Sequence, residues 1–169
     1  SGGATIDMSS SGSGGFTING GAGSDIITGG GAADTIFIAI SGEGDNDTID
    51  GDGGADTLQL SSGTHTLTTD NKLLNLETIL AHSSGSGVDL TNQTENFTIT
   101  GGAGTDNLKG GGGADTFNIT SAGEGNSDTL NGGSGADNLQ LSTGSHTFST
   151  DGKLLNLETI TAHASDSTV

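Results

Sequence analysis

The sequence predicts an all-β chain wound as a parallel solenoid. Three observations predict it: a long internal repeat, a nine-residue period of glycine, aspartate and one apolar residue inside it, and a composition that cannot build a conventional core.

The long repeat comes first. Phe16-Thr17-Ile18 returns as Phe97-Thr98-Ile99, 81 residues later (97 − 16). His65 maps to His146, His82 to His163, and the run from Lys72 to Ile79 returns unchanged from Lys153 to Ile160. The copies align without insertion or deletion, as expected where each unit stacks on the next and an added residue would break pairing on both sides. Substitutions such as Ile27 against Leu108 and Ile36 against Phe117 weigh against a recent duplication that has not yet drifted. The chain therefore divides into a first unit with some preceding residues, 1–86, and a second unit, 87–169, within one continuous solenoid. It begins at Ser1 without a methionine and stops at Val169, where the second copy of Val88 falls, and so reads as a piece of something longer.

Inside each unit lies the shorter period. Residues 20–28 read GGAGSDIIT and 29–37 read GGGAADTIF; after four more residues, 42–50 read GEGDNDTID and 51–59 read GDGGADTLQ. The second unit gives GGAGTDNLK (101–109), GGGGADTFN (110–118), GEGNSDTLN (123–131) and GGSGADNLQ (132–140). Each carries aspartate at its sixth position. The first six residues suit a turn in which small residues let main-chain carbonyls point inward. The last three suit a short strand with one apolar side chain inside: Ile27, Ile36, Ile49 and Leu58, then Leu108, Phe117, Leu130 and Leu139.

Composition says what such turns need. There are 33 glycines, no proline and no cysteine, and three lysines face 21 carboxylates for a formal net charge of −18. Low apolar content with high net charge leaves a chain disordered unless something neutralises it. Divalent cations at regular positions would do so, and would replace disulfides as staples. The acidity argues against nucleic acid and anionic membranes, and no apolar run reaches the roughly 20 residues that span a bilayer. No nucleophile–base or His-Glu-x-x-His arrangement is present, so the chain does not read as an enzyme.

The eight nonapeptides match G-G-x-G-x-D-x-U-x, with U a large apolar residue, a pattern known as a calcium-binding β-helix repeat. The sequence resembles the repeats-in-toxin family, of the surface-layer or large-adhesin type, over residues 20–59 and 101–140. The resemblance implies a right-handed parallel β-roll or β-helix with about four or more Ca²⁺ ions between stacked turns. Calcium takes 6–8 oxygens, more than one turn supplies, so two turns would share each ion. In the family every second turn stacks, which pairs Asp25 with Asp47, Asp34 with Asp56, Asp106 with Asp128 and Asp115 with Asp137. Turn carbonyls would complete the shells, at Gly20, Ala22, Gly23, Gly29 and Gly31 and at Gly101, Ala103, Gly104, Gly110 and Gly112. Asp45 and Asp52 would add carboxylates in the first unit only, and Glu43 and Glu124 are further candidates. Partners in the family spacing are 18 apart, whereas 47 − 25 is 22; the extra residues 38–41 and 119–122 are expected to widen one edge and leave the first and third pairs open to question.

Residues 60–100 lack the nonapeptide but alternate polar and apolar residues, as at Leu74 and Leu76 or Val88 and Leu90, and read as a metal-poor continuation of the roll. The histidines, 17 apart in each unit, read as surface residues; Thr98/Thr100 and similar pairs read as strand formers. Two functions fit. One is a structural module of an extracellular or bacterial cell-surface array, filament or stalk, whose partners would be copies of itself, end to end or lateral, or a surface polysaccharide. The other is the folding and secretion module of an exported enzyme or toxin.

Overall fold

The structure, a computed structural model, describes residues 2–42, 46–123, 127–150, 152–163 and 167–168. Among these the chain forms nineteen strands of two to four residues, and every described pairing is parallel. Eight strands build one long sheet, in the order β2 (Thr17–Asn19), β4 (Thr35–Ile38), β6 (Thr57–Leu60), β9 (Thr78–Leu80), β11 (Thr98–Thr100), β13 (Thr116–Ile119), β15 (Asn138–Leu141) and β18 (Thr159–Thr161). The remaining strands form two sheets and a two-stranded pair. One sheet holds β1 (Thr5–Asp7), β3 (Ile26–Thr28), β5 (Thr48–Asp50) and β8 (Leu73–Leu74). The next holds β7 (Gly63–Thr66), β10 (Ser86–Asp89), β12 (Asn107–Lys109), β14 (Thr129–Asn131) and β17 (Leu154–Leu155), and β16 (Gly144–Ser145) pairs with β19 (Ser167–Thr168).

Every nonapeptide has its strand at the last three positions, and in the six whose first six positions are all described those positions form the turn. The central strand residue points inward because side chains alternate along a strand. In the long sheet Ile18, Ile36, Leu58, Ile79 and Ile99 lie in register, 18, 22, 21 and 20 residues apart, so four coils make one 81-residue unit. The long sheet continues through the boundary between the units, which β9 and β11 bridge. All eight inward nonapeptide residues are buried.

The extra residues 38–41 and 119–122 lengthen β4 and β13 to four residues. That adds Ile38 and Ile119 to the core, paired with Leu60 and Leu141. The 22-residue coil is therefore a regular part of the roll. One coil does double duty. Between Leu60 and Thr78 the chain first lays down β7, which pairs forward with β10, then crosses a 3-10 turn at Asp70–Lys72 and lays down β8, which pairs back on β5.

Two expectations need correction. Ile6 stacks on Ile27 but Val88 stacks on Leu108, an offset of 82 rather than 81, so the loop before Phe16 carries one residue more than its counterpart. His65 and His146 are not surface residues: they are 0% and 2% exposed. His65 Nε2 lies 2.9 Å from the Ser61 carbonyl oxygen, which can only accept, so this nitrogen carries the proton. His65 pairs with Val88 across β7 and β10.

Candidate metal centres

The eight sixth-position aspartates converge on the interior edges of the roll, and each is 1–4% exposed. Four turns stack on four others, as the family resemblance implies. The Asp25 N–H donates to Asp47 Oδ1 at 2.9 Å and the Asp34 N–H to Asp56 Oδ1 at 2.7 Å. The second unit repeats this from Asp106 to Asp128 at 2.9 Å and from Asp115 to Asp137 at 2.8 Å. Both kinds of pair span 22 residues and both keep the bond, so the inserted residues do not separate the first and third pairs.

The lower aspartates also grip the coil that precedes them. Asp34 Oδ1 accepts from the Phe16 N–H at 2.7 Å and Asp115 Oδ1 from the Phe97 N–H at 2.8 Å. Asp25 and Asp106 do the same for the Ala4 and Ser86 N–H groups, each at 2.6 Å. One carboxylate oxygen per aspartate is thus committed to the ladder. In Asp25, Asp34, Asp56, Asp106, Asp115 and Asp137 the other lies over the first glycine of its own turn. Asp34 Oδ2 takes the Gly30 N–H and Asp115 Oδ2 the Gly111 N–H, at 2.7 and 3.0 Å, whereas Asp56 Oδ2 and Asp137 Oδ2 are buried without any hydrogen-bond partner.

First-position glycines explain themselves here. A Cβ on Gly29 would overlap both Asp34 Oδ2 and the Gly51 carbonyl oxygen of the next coil; on Gly110 it would overlap Asp115 Oδ2 and the Gly132 carbonyl oxygen. On Gly20 it would overlap Asp25 Oδ2. Carboxylate and carbonyl oxygens from two coils therefore meet over a bare glycine. Among the described residues no three acidic, histidine or cysteine side chains converge, so any cation would be held by paired carboxylates and main-chain oxygens. That all-oxygen set is what calcium takes, and the unpartnered buried oxygens of Asp56 and Asp137 fit it.

Burial pushes the Asp56, Asp115 and Asp137 carboxyls above the ordinary carboxylate range. Facing acids push the same way: Asp34 and Glu77 on Asp56, Asp137 on Asp115, Glu158 on Asp137. Lysine does not relieve them. Lys109 pairs with Asp89 on the outer strand face at 2.8 Å.

The other candidates sit farther out. Gly23 and Gly104 have φ of 129° and 128°, which only glycine adopts without strain, and they lie with Ala22 and Ala103 on the outer arc of their turns. Gly31 and Gly112 are exposed. Asp52 is exposed in a left-handed conformation, φ 66°, and adds its charge to the surroundings of Asp56. Asp45, Glu43 and Glu124 lie outside the described residues. Sequence reasoning passed over Glu77 and Glu158 as site residues. Each accepts the N–H of the aspartate one coil earlier, Asp56 or Asp137, at 2.7 Å, and so occupies the position an aspartate holds elsewhere. The repeated LNLET run, 21 residues after a nonapeptide aspartate, was the available signal.

Parallel coils closed by paired buried aspartates and bare glycines define a calcium-binding repeat solenoid. Residues 11–37, 39–64, 98–118 and 122–145, more than half of the chain, match four copies of the RTX calcium-binding nonapeptide repeat, and the chain belongs to that family. Searches of curated proteins and of solved structures each return no significant match.

Proposed function

We propose that this chain is a calcium-folded structural segment of an exported protein, whose units stack into a stalk, filament or surface array. The observation that carries it is the burial of eight aspartates in a chain of net charge −18. Buried carboxylates without counter-charges oppose compaction, so the cation's binding free energy becomes folding free energy. A segment that stays open where calcium is scarce and closes where it is abundant suits export followed by folding outside the cell. No helix among the described residues is long and apolar enough to cross a membrane.

Stacking is supported by the long sheet, which passes from the first unit to the second through the parallel pairing of β9 with β11. The test is circular dichroism and negative-stain microscopy across a calcium titration. The expected result is a reversible change from coil to β with elongated assemblies at saturation. A β spectrum that resists chelation would sink the coupled folding, and isolated particles in saturating calcium would sink the assembly.

A further inference from the structure

The cation column does not stop where the nonapeptides stop. We propose that each unit carries one additional divalent-cation site a coil beyond them. It is formed by Asp56 Oδ2, the Asn75 carbonyl oxygen and the Glu77 carboxylate, and again by Asp137 Oδ2, the Asn156 carbonyl oxygen and the Glu158 carboxylate. The proposal rests on the calcium reading above and extends it to residues outside those that match the family.

Geometry carries it. At the pair Asp34–Asp56, Asp34 Oδ2 and the Gly51 carbonyl oxygen converge over Gly29. One coil on, the arrangement recurs with new residues: a Cβ on Gly51 would overlap both Asp56 Oδ2 and the Asn75 carbonyl oxygen. The second unit repeats it, where a Cβ on Gly132 would overlap Asp137 Oδ2 and the Asn156 carbonyl oxygen. Asn75 and Asn156 replace the turn glycine and hold left-handed conformations, φ 51° and 49°, which asparagine adopts more readily than most residues. Their side chains are fixed: Asn75 Nδ2 donates to Asp50 Oδ1 at 2.7 Å and Asn156 Nδ2 to Asn131 Oδ1 at 2.8 Å. Glu77 Oε2 receives the Asp56 N–H at 2.7 Å, as Asp56 Oδ1 receives that of Asp34.

A second observation points to a ligand. Asp56 and Asp137 are each 1% exposed, and their Oδ2 atoms, aimed at these carbonyls, have no hydrogen-bond donor. An anionic oxygen left unpartnered in the interior is costly, and it lies against a carbonyl oxygen that cannot donate to it. A cation satisfies both. Glu77 and Glu158 are exposed, so the site opens to solvent and water completes the shell, as hard cations allow.

The experiment counts ions. Wild-type chain and the double variant Glu77→Gln/Glu158→Gln are dialysed to equilibrium in calcium, and bound calcium is measured by atomic emission alongside circular dichroism. Glutamine retains an acceptor for the Asp56 and Asp137 N–H groups but no charge. The expected result is two fewer ions per chain with the β spectrum kept. An unchanged count in a wild type that binds calcium overturns this site and leaves the calcium reading standing; a wild type that binds none overturns both. Should the variant fail to fold, crystals of the wild type soaked in terbium decide it: anomalous density between Asp56 and Glu77 is expected, and its absence overturns the site.

Discussion

Residues 20–59 and residues 60–100 wind on the same ladder but close their turns by different means. In the first stretch the turns bury charge: Asp25, Asp34, Asp47 and Asp56 line the edges. In the second, the interior is filled by Leu67, Leu73, Leu76, Val88, Leu90 and Phe97. Its buried polar side chains are neutral: Gln93 Nε2 donates to the Leu67 carbonyl at 2.5 Å and His65 Nε2 to that of Ser61, while Gln93 Oε1 and His65 Nδ1 have no hydrogen-bond partner. The inward column of the long sheet runs from Ile18 through Ile99 regardless. The strands need only apolar side chains in register, whereas the nonapeptide turns need a counter-charge. On the proposed reading, calcium dependence belongs to the turns, and the apolar column conveys it to the coils between them.

The largest effect tests the column. Ile79 sits between Leu58 and Ile99 with no exposed surface. Ile79→Ala should lower stability in saturating calcium by about 2–5 kcal/mol, the usual cost of emptying a packed core position. Ile160→Ala removes the same atoms from the equivalent, half-exposed position and should cost less than about 1 kcal/mol. Urea midpoints at fixed calcium measure both. Equal losses would break the claim that each coil is stabilised by the one laid over it.

The next effect tests the turns. Gly29→Ala puts a methyl group where Asp34 Oδ2 and the Gly51 carbonyl oxygen meet. Neither is free to move, so the variant should lose about 1–3 kcal/mol, as for overpacking generally. Gly14 has nothing within 4 Å of its missing Cβ and no positive φ, and Gly14→Ala should stay within about 0.5 kcal/mol of the parent. If both variants behave alike by urea titration in calcium, the first-position glycine is a matter of turn flexibility and not of the oxygen cradle.

Much of this was legible in the sequence because each nonapeptide states its own geometry: six residues of turn, then one inward apolar residue. The eight aspartates follow from where the motifs fall, and their pairing from the family resemblance. What was hidden was long-range. No local signal shows that the chain from Gly63 to Leu74 serves two sheets, because β7 and β8 find partners 23 and 24 residues away in opposite directions, His65 to Val88 and Leu73 to Ile49. His65 looked like a surface residue because histidine usually is one, and burial is decided by that pairing. Glu77 escaped because its turn lacks glycine; only the coil length places it over Asp56.

The smallest effect, and the one that separates the two regions most cleanly, is that of pH on the metal-free chain. Asp56, Asp115 and Asp137, all in nonapeptide turns, have carboxyls raised by burial above the ordinary value of 3.8. A raised group favours the folded state fully below its ordinary value, and that contribution is lost as pH rises through the folded one. His65, in the intervening region, is shifted the other way by burial, below its ordinary 6.5. Its contribution is present above 6.5 and is lost as pH falls, because the open chain takes a proton that the folded chain refuses. With calcium, acidification from neutrality should therefore first weaken the intervening coils slightly; without it, acidification toward about pH 4 should promote β structure in the nonapeptide coils as protons replace the missing cations. With calcium the second trend reverses, since protons and cation compete for the same oxygens. Circular dichroism from pH 7 to about 3.5, with and without calcium, gives both curves. A metal-free chain that stays coil-like throughout would mean that neutralising these carboxylates is not enough. The cation would then act by bridging two turns at once, which a proton cannot do.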